Sequence, residues 1–215
     1  MRTFKKALLT LFIGGIALSC QSQNKSSHSK STSDLSKLDS AYFASGCFWC
    51  VEAIFESVEG VKEAVSGYAG GKEQNPTYRQ VSSGATGHTE SVVVFYDASV
   101  VSYQTLLKVF YGSHNPTTVN GQHPDCGKQY RSAIFYLNDK EKELATAYRD
   151  SLQKSGSFSE PIATEIAPLT KFWEAEDYHQ DYEKNNPNQP YVKAVSVPRL
   201  NKFKSKFPEL LKEGH

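Results

Sequence analysis

The sequence predicts an α+β domain: a two-layer sandwich with a ferredoxin-like, split βαβ core and a loop-rich C-terminal part. Three observations carry this. Apolar strand-like runs alternate with amphipathic stretches as strand–helix–strand, then strand–helix–strand again. The chain of 215 residues favours one domain, long enough to bury a sizeable core. It carries no internal repeat.

Taken in order, residues 41–45 (AYFAS) read as a short buried strand running into Gly46. Val51, Ile54, Phe55 and Val58 follow at helical spacing, with Glu52, Glu56 and Glu59 on other faces, and Gly60 ends the helix. Residues 61–68 read as a strand leading into the turn Ala69-Gly70-Gly71, and residues 89–96 (TESVVVFY) as a second clear strand. An amphipathic helix is expected over 102–112, a third apolar strand over 131–137, and a helix over 139–155 capped by Asp139. Residues 162–167 make a further strand. Spaced lysines and phenylalanines after Arg199 read as a solvated surface helix, in a tail placed at 200–215.

Lysine plus arginine (24) nearly balance aspartate plus glutamate (23), so net charge argues against a nucleic-acid partner. Aromatic residues make up 12% and concentrate after residue 41, as suits a packed domain with a ring-lined pocket. The N-terminus differs. MRTFKK is a basic segment, and the apolar run from Ala7 to Leu18 is too short to span a bilayer but fits a signal peptide. It ends in Ile16-Ala17-Leu18-Ser19-Cys20, which resembles a bacterial lipoprotein signal over residues 1–19 with Cys20 as the lipidated residue; a plain secretory signal is the alternative. Residues 20–39, rich in serine, lysine and asparagine, cannot bury enough apolar surface to offset ordering entropy and read as a flexible tether to a catalytic domain at 40–199. The expected location is therefore the cell envelope, lipid-anchored to a bacterial membrane on the periplasmic side or at the cell surface.

With Cys20 lipidated, three thiols remain: Cys47, Cys50 and Cys126. An odd number leaves one over from any purely structural disulfide set. Cys47 falls at a strand-to-helix junction, where unpaired backbone N–H groups and the helix dipole favour thiolate, the nucleophilic form. Cys50 lies one helical turn on, within reach for a disulfide. Bland readings compete. A structural disulfide over so short a loop gives little entropic stabilisation. A zinc site needs about four ligands, and beyond Cys126 only scattered histidines are on offer, so no metal is expected. Simple core cysteines would not need the Gly46 turn. A thioredoxin-like oxidoreductase would place its tryptophan before the first cysteine and a proline between the two, and this chain reads Cys-Phe-Trp-Cys.

Gly46-Cys47-Phe48-Trp49 resembles the signature of the peptide-methionine (S)-S-oxide reductases. Further segments match that family in order. Val65-Ser66-Gly67-Tyr68-Ala69-Gly70-Gly71 is followed by Asn75-Pro76-Thr77-Tyr78, then by Ser83-Gly84-Ala85-Thr86-Gly87-His88-Thr89-Glu90. His114-Asn115-Pro116-Thr117-Thr118, Asp125-Cys126-Gly127-Lys128-Gln129-Tyr130-Arg131-Ser132 and Ala175-Glu176-Asp177-Tyr178-His179-Gln180 complete the series, over about residues 40–190.

The resemblance implies an α+β sandwich that reduces methionine S-sulfoxide, free or in oxidised proteins, without a bound cofactor and with a thioredoxin-type electron donor. It implies Cys47 as nucleophile, Phe48 and Trp49 as the wall for the substrate S-methyl, and Tyr78, Glu90 and Tyr130 around the sulfoxide oxygen, with Asp125 a supporting acid. The residue chemistry agrees, since a thiolate must attack sulfur while a donor turns the oxygen into a leaving hydroxyl. Glu90 alternates in phase with Val92 and Val94, so its carboxyl should enter an apolar face that favours the protonated form. His88 is expected to hold its turn; His179 and Tyr178 are expected to pack or hydrogen-bond structurally, at the rim of the site. His123 receives no role. The family's commonest signature has glycine where this chain has Cys50, and many members carry a recycling cysteine in a C-terminal tail; here no cysteine follows Cys126. The resolving thiol is then Cys50, with Cys126 or an outside reductant as alternatives. A thiol–disulfide oxidoreductase and a lipoprotein binding module with a structural disulfide stay open as rival functions.

Overall fold

The computed structural model describes residues 35–214. The signal-like segment, Cys20 and most of the expected tether lie outside the described residues.

Strand β1 (Asp39–Ser45) leads through Gly46 into helix α1 (Phe48–Glu56), and β2 (Val61–Ala69) returns. A short helix α2 (Tyr78–Ser82) precedes β3 (Thr89–Tyr96), α3 (Tyr103–Gly112) and a small hairpin, β4 (Gly121–Gln122) with β5 (Asp125–Cys126). Then come β6 (Ser132–Tyr136), α4 (Asp139–Lys154), β7 (Glu165–Pro168) and β8 (Trp173–Glu174). The chain ends with α5 (Tyr182–Asn185), a π-helical turn (Val192–Ser196) and α6 (Val197–Lys206).

The main sheet runs β7-β6-β1-β3-β2-β8. Its inner four strands, β6-β1-β3-β2, each run antiparallel to their neighbours and are linked β1-α1-β2, β3-α3-β6, which is the split βαβ arrangement expected. β7 adds parallel to β6 after α4, and β8 adds antiparallel to β2. Period-two alternation sorts the faces. Ala41 and Phe43 of β1 and Val92 and Val94 of β3 point into the larger core with Ile54, Phe55, Leu106, Leu107 and Phe110. Ala44, Ala69, Ala133 and Phe135 form a smaller cluster under Tyr42, Leu169 and Phe172. Phe43 stacks on Phe55 (4.9 Å) and Phe110 (5.3 Å), joining β1 to both crossover helices. Burying one such ring stabilises by about 1.5–3 kcal/mol.

Several local expectations need correction. Asn138, not Asp139, caps α4: its side chain accepts from the Glu141 N–H, and Asp139 already lies inside the helix. The strand expected over 162–167 starts only at Glu165, because pairing with β6 begins at Ala133–Glu165. α1 closes at Ser57, whose hydroxyl bonds the Ile54 carbonyl (2.7 Å), before Gly60 is reached. Glu52, on a different face of α1 from the apolar stripe, is buried too, held by the Ser66 hydroxyl and by the Asp181 N–H at 2.5 Å. Burial raises its pKa to about 8.

The C-terminal part is more helical and more tightly packed than a loop-rich, solvated tail. α6 forms, but Phe203 on it is fully buried and packs at a tilt against Phe207 (5.4 Å between ring centres). Beyond it the Glu59 N–H bonds the Leu210 carbonyl (2.8 Å) and the Lys212 N–H the Ser57 carbonyl (3.0 Å). Spaced phenylalanines gave the signal; the partners that bury them are distant in sequence.

Candidate active site

Gly46 makes the turn that starts the site. Its φ of +90° lies in the region side chains avoid, and a Cβ there would sit 2.8 Å from the Cβ of Gln122. The chain therefore delivers Cys47 to the N-cap of α1, and the Cys50 and Val51 N–H groups both bond the Cys47 carbonyl. The two thiols lie one helical turn apart, close enough for each to shift the ionisation of the other. All three thiols among the described residues are free.

The charge on this pair does not sit where the helix N-terminus alone would put it. Burial, the hydrogen bond with Cys50 and the nearby Glu90 push the Cys47 thiol well up. Cys50 is lowered to about 6, chiefly by the hydrogen bond from Cys47 against the opposing cost of burial, and further by the Arg199 charge and the Ser196 and Tyr191 hydroxyls. The surroundings of the pair favour negative charge on Cys50 and the proton on Cys47. The helix dipole does not prevail at Cys47 because that thiol is only 7% exposed and its neighbour Cys50 has the Arg199 charge and the Tyr191 and Ser196 hydroxyls to favour its thiolate.

β3 brings Glu90 under this helix start, on the face that Val92 and Val94 share. Its Oε2 accepts the Phe48 N–H at 3.1 Å. With the side chain 1% exposed, burial pushes its pKa up to about 8, so the carboxyl is protonated at neutral pH and its second oxygen carries a donor. Tyr78 opens α2, where Thr77 forms a capping box with Gln80. Glu176 ties this turn down, its two oxygens accepting the Tyr78 N–H (3.0 Å) and the Tyr68 hydroxyl (2.7 Å). Tyr130 ends a 3₁₀ turn, Lys128–Tyr130, that is anchored to β3 by the Thr89 hydroxyl on the Gln129 carbonyl (2.8 Å). Burial and the Glu90 charge raise both phenols, which stay protonated donors.

Phe48 is fully buried, with Tyr78 (6.2 Å) and His179 (4.9 Å) around it. Trp49 is partly open, stacked flat on Tyr182 at 3.6 Å. Its indole N–H donates to His179 Nδ1 (3.1 Å), and burial lowers His179 to about 4, which keeps the ring neutral and able to accept. Tyr178 lies over His179 (4.1 Å) and is 60% exposed at the rim. His88 is buried and holds its turn through the Gly71 N–H (3.2 Å) and the Glu73 carbonyl (2.8 Å).

Asp125 sits on β5 and accepts from the Tyr191 hydroxyl at 2.5 Å; that hydroxyl lies 3.8 Å from Cys50 Sγ. Cys126 next to it is exposed, its thiol directed at the Pro124 carbonyl (3.7 Å). The structure thus gathers Cys47, Cys50, Phe48, Trp49, Tyr78, Glu90, Tyr130 and Asp125, while Cys126 faces solvent. Sequence reasoning missed Tyr191, Tyr182, Arg199 and the positioning part of Glu176. Glu176 stood in a quoted motif; the other three follow the last motif, where spacing carries no signal. Among the described residues no group of three or more His, Cys, Asp or Glu is arranged to hold a metal ion, and no helix is long and apolar enough to cross a membrane.

A buried thiol pair beside a buried carboxyl and two phenols is the equipment of a thiol-dependent oxidoreductase. The chain belongs to the peptide methionine sulfoxide reductase family, whose model matches residues 39–211. The peptide methionine sulfoxide reductase MsrA of Pasteurella multocida is 49% identical over 172 residues, covering 80% of this chain and 98% of that one. MsrA 1 of Rhodopirellula baltica is also 49% identical, over 80% of this chain and 88% of its own. Among solved structures, reduced Mxr1 from Saccharomyces cerevisiae superposes with a TM-score of 0.66 at 32% identity, covering 70% of this chain and 87% of that chain. Methionine sulfoxide reductase A of Corynebacterium diphtheriae gives 0.63 at 36% identity, over 70% and 76%. The protein is an enzyme of this family, a methionine sulfoxide reductase acting in the repair of oxidised methionine.

Proposed function

We propose that the protein reduces the (S)-S-oxide of methionine, free or in proteins, with Cys47 as nucleophile, Cys50 as resolving thiol and a thioredoxin-type dithiol protein as electron donor. The observation that carries this reading is the buried Glu90 carboxyl, fixed by the Phe48 N–H at the same helix start as Cys47, where burial favours its protonated form.

The substrate S-methyl rests on Phe48 and Trp49, and the sulfoxide oxygen faces Glu90, Tyr78 and Tyr130. Cys47 gives its proton to the Cys50 thiolate and attacks the substrate sulfur. Glu90 delivers a proton to the oxygen, which leaves the substrate sulfur as hydroxide, held by the two phenols, while the Cys47 sulfur stays bonded to a sulfonium. The hydroxide then attacks the Cys47 sulfur, the bond to the substrate sulfur breaks with its electron pair going to methionine, which leaves, and Cys47 becomes a sulfenic acid. Cys50 then attacks the Cys47 sulfur, water departs, and a disulfide forms. Two electrons and two protons from the dithiol restore the pair. Buried contact between Cys47 and Cys50, against the solvent-facing thiol of Cys126, supports Cys50 as the resolving residue.

The experiment on this assignment is Cys50→Ser. One methionine per enzyme should form, after which turnover with the protein reductant stalls and a Cys47 sulfenic acid accumulates, trappable by a dimedone-type reagent. Dithiothreitol should restore part of the turnover. Free recycling by Cys50→Ser, with stalling by Cys126→Ser, would transfer the role to Cys126.

We also propose the lipid anchor on Cys20, on the basis of the signal-like sequence alone. Full-length protein made in a bacterium should partition with membranes, and Cys20→Ser should release or mislocalise it; durable anchoring needs more than one acyl chain, which lipoprotein processing supplies. Unprocessed Met1 in a soluble cytoplasmic fraction would rule the anchor out.

A further inference from the structure

Once Cys47 and Cys50 are joined, a dithiol reductant has two sulfurs to choose between, and the surroundings of the two differ. Cys50 is 1% exposed. The Tyr191 hydroxyl covers it at 3.8 Å and the Ser196 hydroxyl bonds it, while Arg199 adds a positive charge. Arg199 is itself fixed, its guanidinium donating to the Ser113 carbonyl (2.9 Å) and the Ser45 hydroxyl (3.2 Å). Each hydroxyl is backed by a carboxyl, Asp125 behind Tyr191 and Glu183 behind Ser196. Each hydroxyl donates to its carboxyl here, and as a free rotor it can turn its proton toward the sulfur when charge develops there. A groove of about 850 Å³ is lined by Tyr191, Asp125 and Arg199, but Cys50 itself does not reach its wall. Cys47, by contrast, lies at the edge of the aromatic recess.

The geometry points to Tyr191, Ser196 and Arg199 as the groups that receive the Cys50 sulfur as it leaves, so that the reductant opens the disulfide by attacking Cys47 through the substrate's own entrance. This rests on Cys50 being the resolving thiol. In the step, a thiolate of the dithiol protein bonds to Cys47 Sγ, the Cys47–Cys50 bond breaks, and its electron pair leaves on Cys50 as a thiolate. The second thiol of the reductant then attacks its own sulfur in the mixed disulfide, releasing Cys47 and carrying the oxidation away as the reductant's disulfide. A better-stabilised leaving thiolate departs faster, which selects the sulfur attacked.

The test uses wild-type enzyme oxidised by one turnover and a thioredoxin-type protein whose second cysteine is replaced by serine, so that the mixed disulfide persists. After rapid alkylation, fragment ions that divide the peptide between Phe48 and Trp49 show which cysteine is bridged. The expected bridge is to Cys47, with the alkyl group on Cys50; a bridge to Cys50 overturns the inference while leaving Cys50 as resolving thiol. If the oxidised enzyme holds no Cys47–Cys50 bond, the resolving assignment falls, and the inference with it. In Arg199→Met the disulfide should open roughly tenfold more slowly and the bridge should shift toward Cys50, with Arg199→Lys recovering both. An unchanged partition in Arg199→Met also counts against the cradle, because a merely structural arginine would change stability without moving the bridge.

Discussion

Cys47→Ser yields no methionine in a single turnover, whatever the reductant, and remains folded. The expectation follows from nucleophile chemistry: a serine hydroxyl at neutral pH is a far weaker nucleophile than a thiolate, and no neighbouring base is strong enough to activate it. Cys50 cannot substitute. Its sulfur is drawn toward Tyr191, Ser196 and Arg199, away from the carboxyl that must protonate the oxygen. The hydroxyl fits the space of the thiol, so the fold, which rests on β1, β3 and the two crossover helices, is retained. Thermal unfolding close to wild type together with zero methionine is the expected pair of readings; single-turnover methionine from a folded Cys47→Ser protein would remove the nucleophile assignment.

Glu90→Gln comes second in size. The amide keeps the shape and can still accept the Phe48 N–H, but it cannot release a proton. Loss of a general acid typically costs 10²–10⁴-fold, and that is the predicted fall in sulfenic acid formation. The pH profile gives the sign independently. Burial raises Glu90 to about 8, so the acid is present below that pH and lost as pH rises through it. The wild-type single-turnover rate should therefore decline through about pH 8, and the Glu90→Gln rate should lack that limb. Stability runs the same way: the folded state holds a proton that the unfolded chain releases above about 4.5, so this residue makes folding less favourable as pH climbs from there to about 8. An unchanged rate in Glu90→Gln would leave Glu90 a structural anchor for the helix start.

The core of the fold was legible because its signal is local. TESVVVFY is so rich in β-branched and aromatic residues that it gives residues 89–96 their observed limits, and strand–helix–strand repeated twice suffices for the split βαβ order. Alternation in phase with Val92 and Val94 placed Glu90 on the helix-facing side of β3 before any contact was known. What stayed hidden depends on contacts between distant residues. Glu52 lies off the apolar stripe of its helix, and its burial shows only once Ser66 and Asp181 supply its partners. Tyr191 is an unremarked tyrosine in the sequence, and only the fold sets its hydroxyl between Asp125 and Cys50. The protonation of the thiol pair was read wrongly for the same reason. A helix N-terminus is visible in sequence, whereas burial of one sulfur and a cationic, hydroxyl-lined cradle for the other are not.

The central claim is that Cys47 takes the oxygen and Cys50 resolves it. Mass spectrometry of the enzyme after one turnover with methionine (S)-S-oxide and no reductant tests this most directly. The account predicts one methionine per enzyme, a protein lighter by two hydrogens, and a Cys47–Cys50 disulfide with Cys126 still alkylatable. A disulfide that includes Cys126, or a Cys47 that ends the turnover as an unmodified thiol, would contradict it.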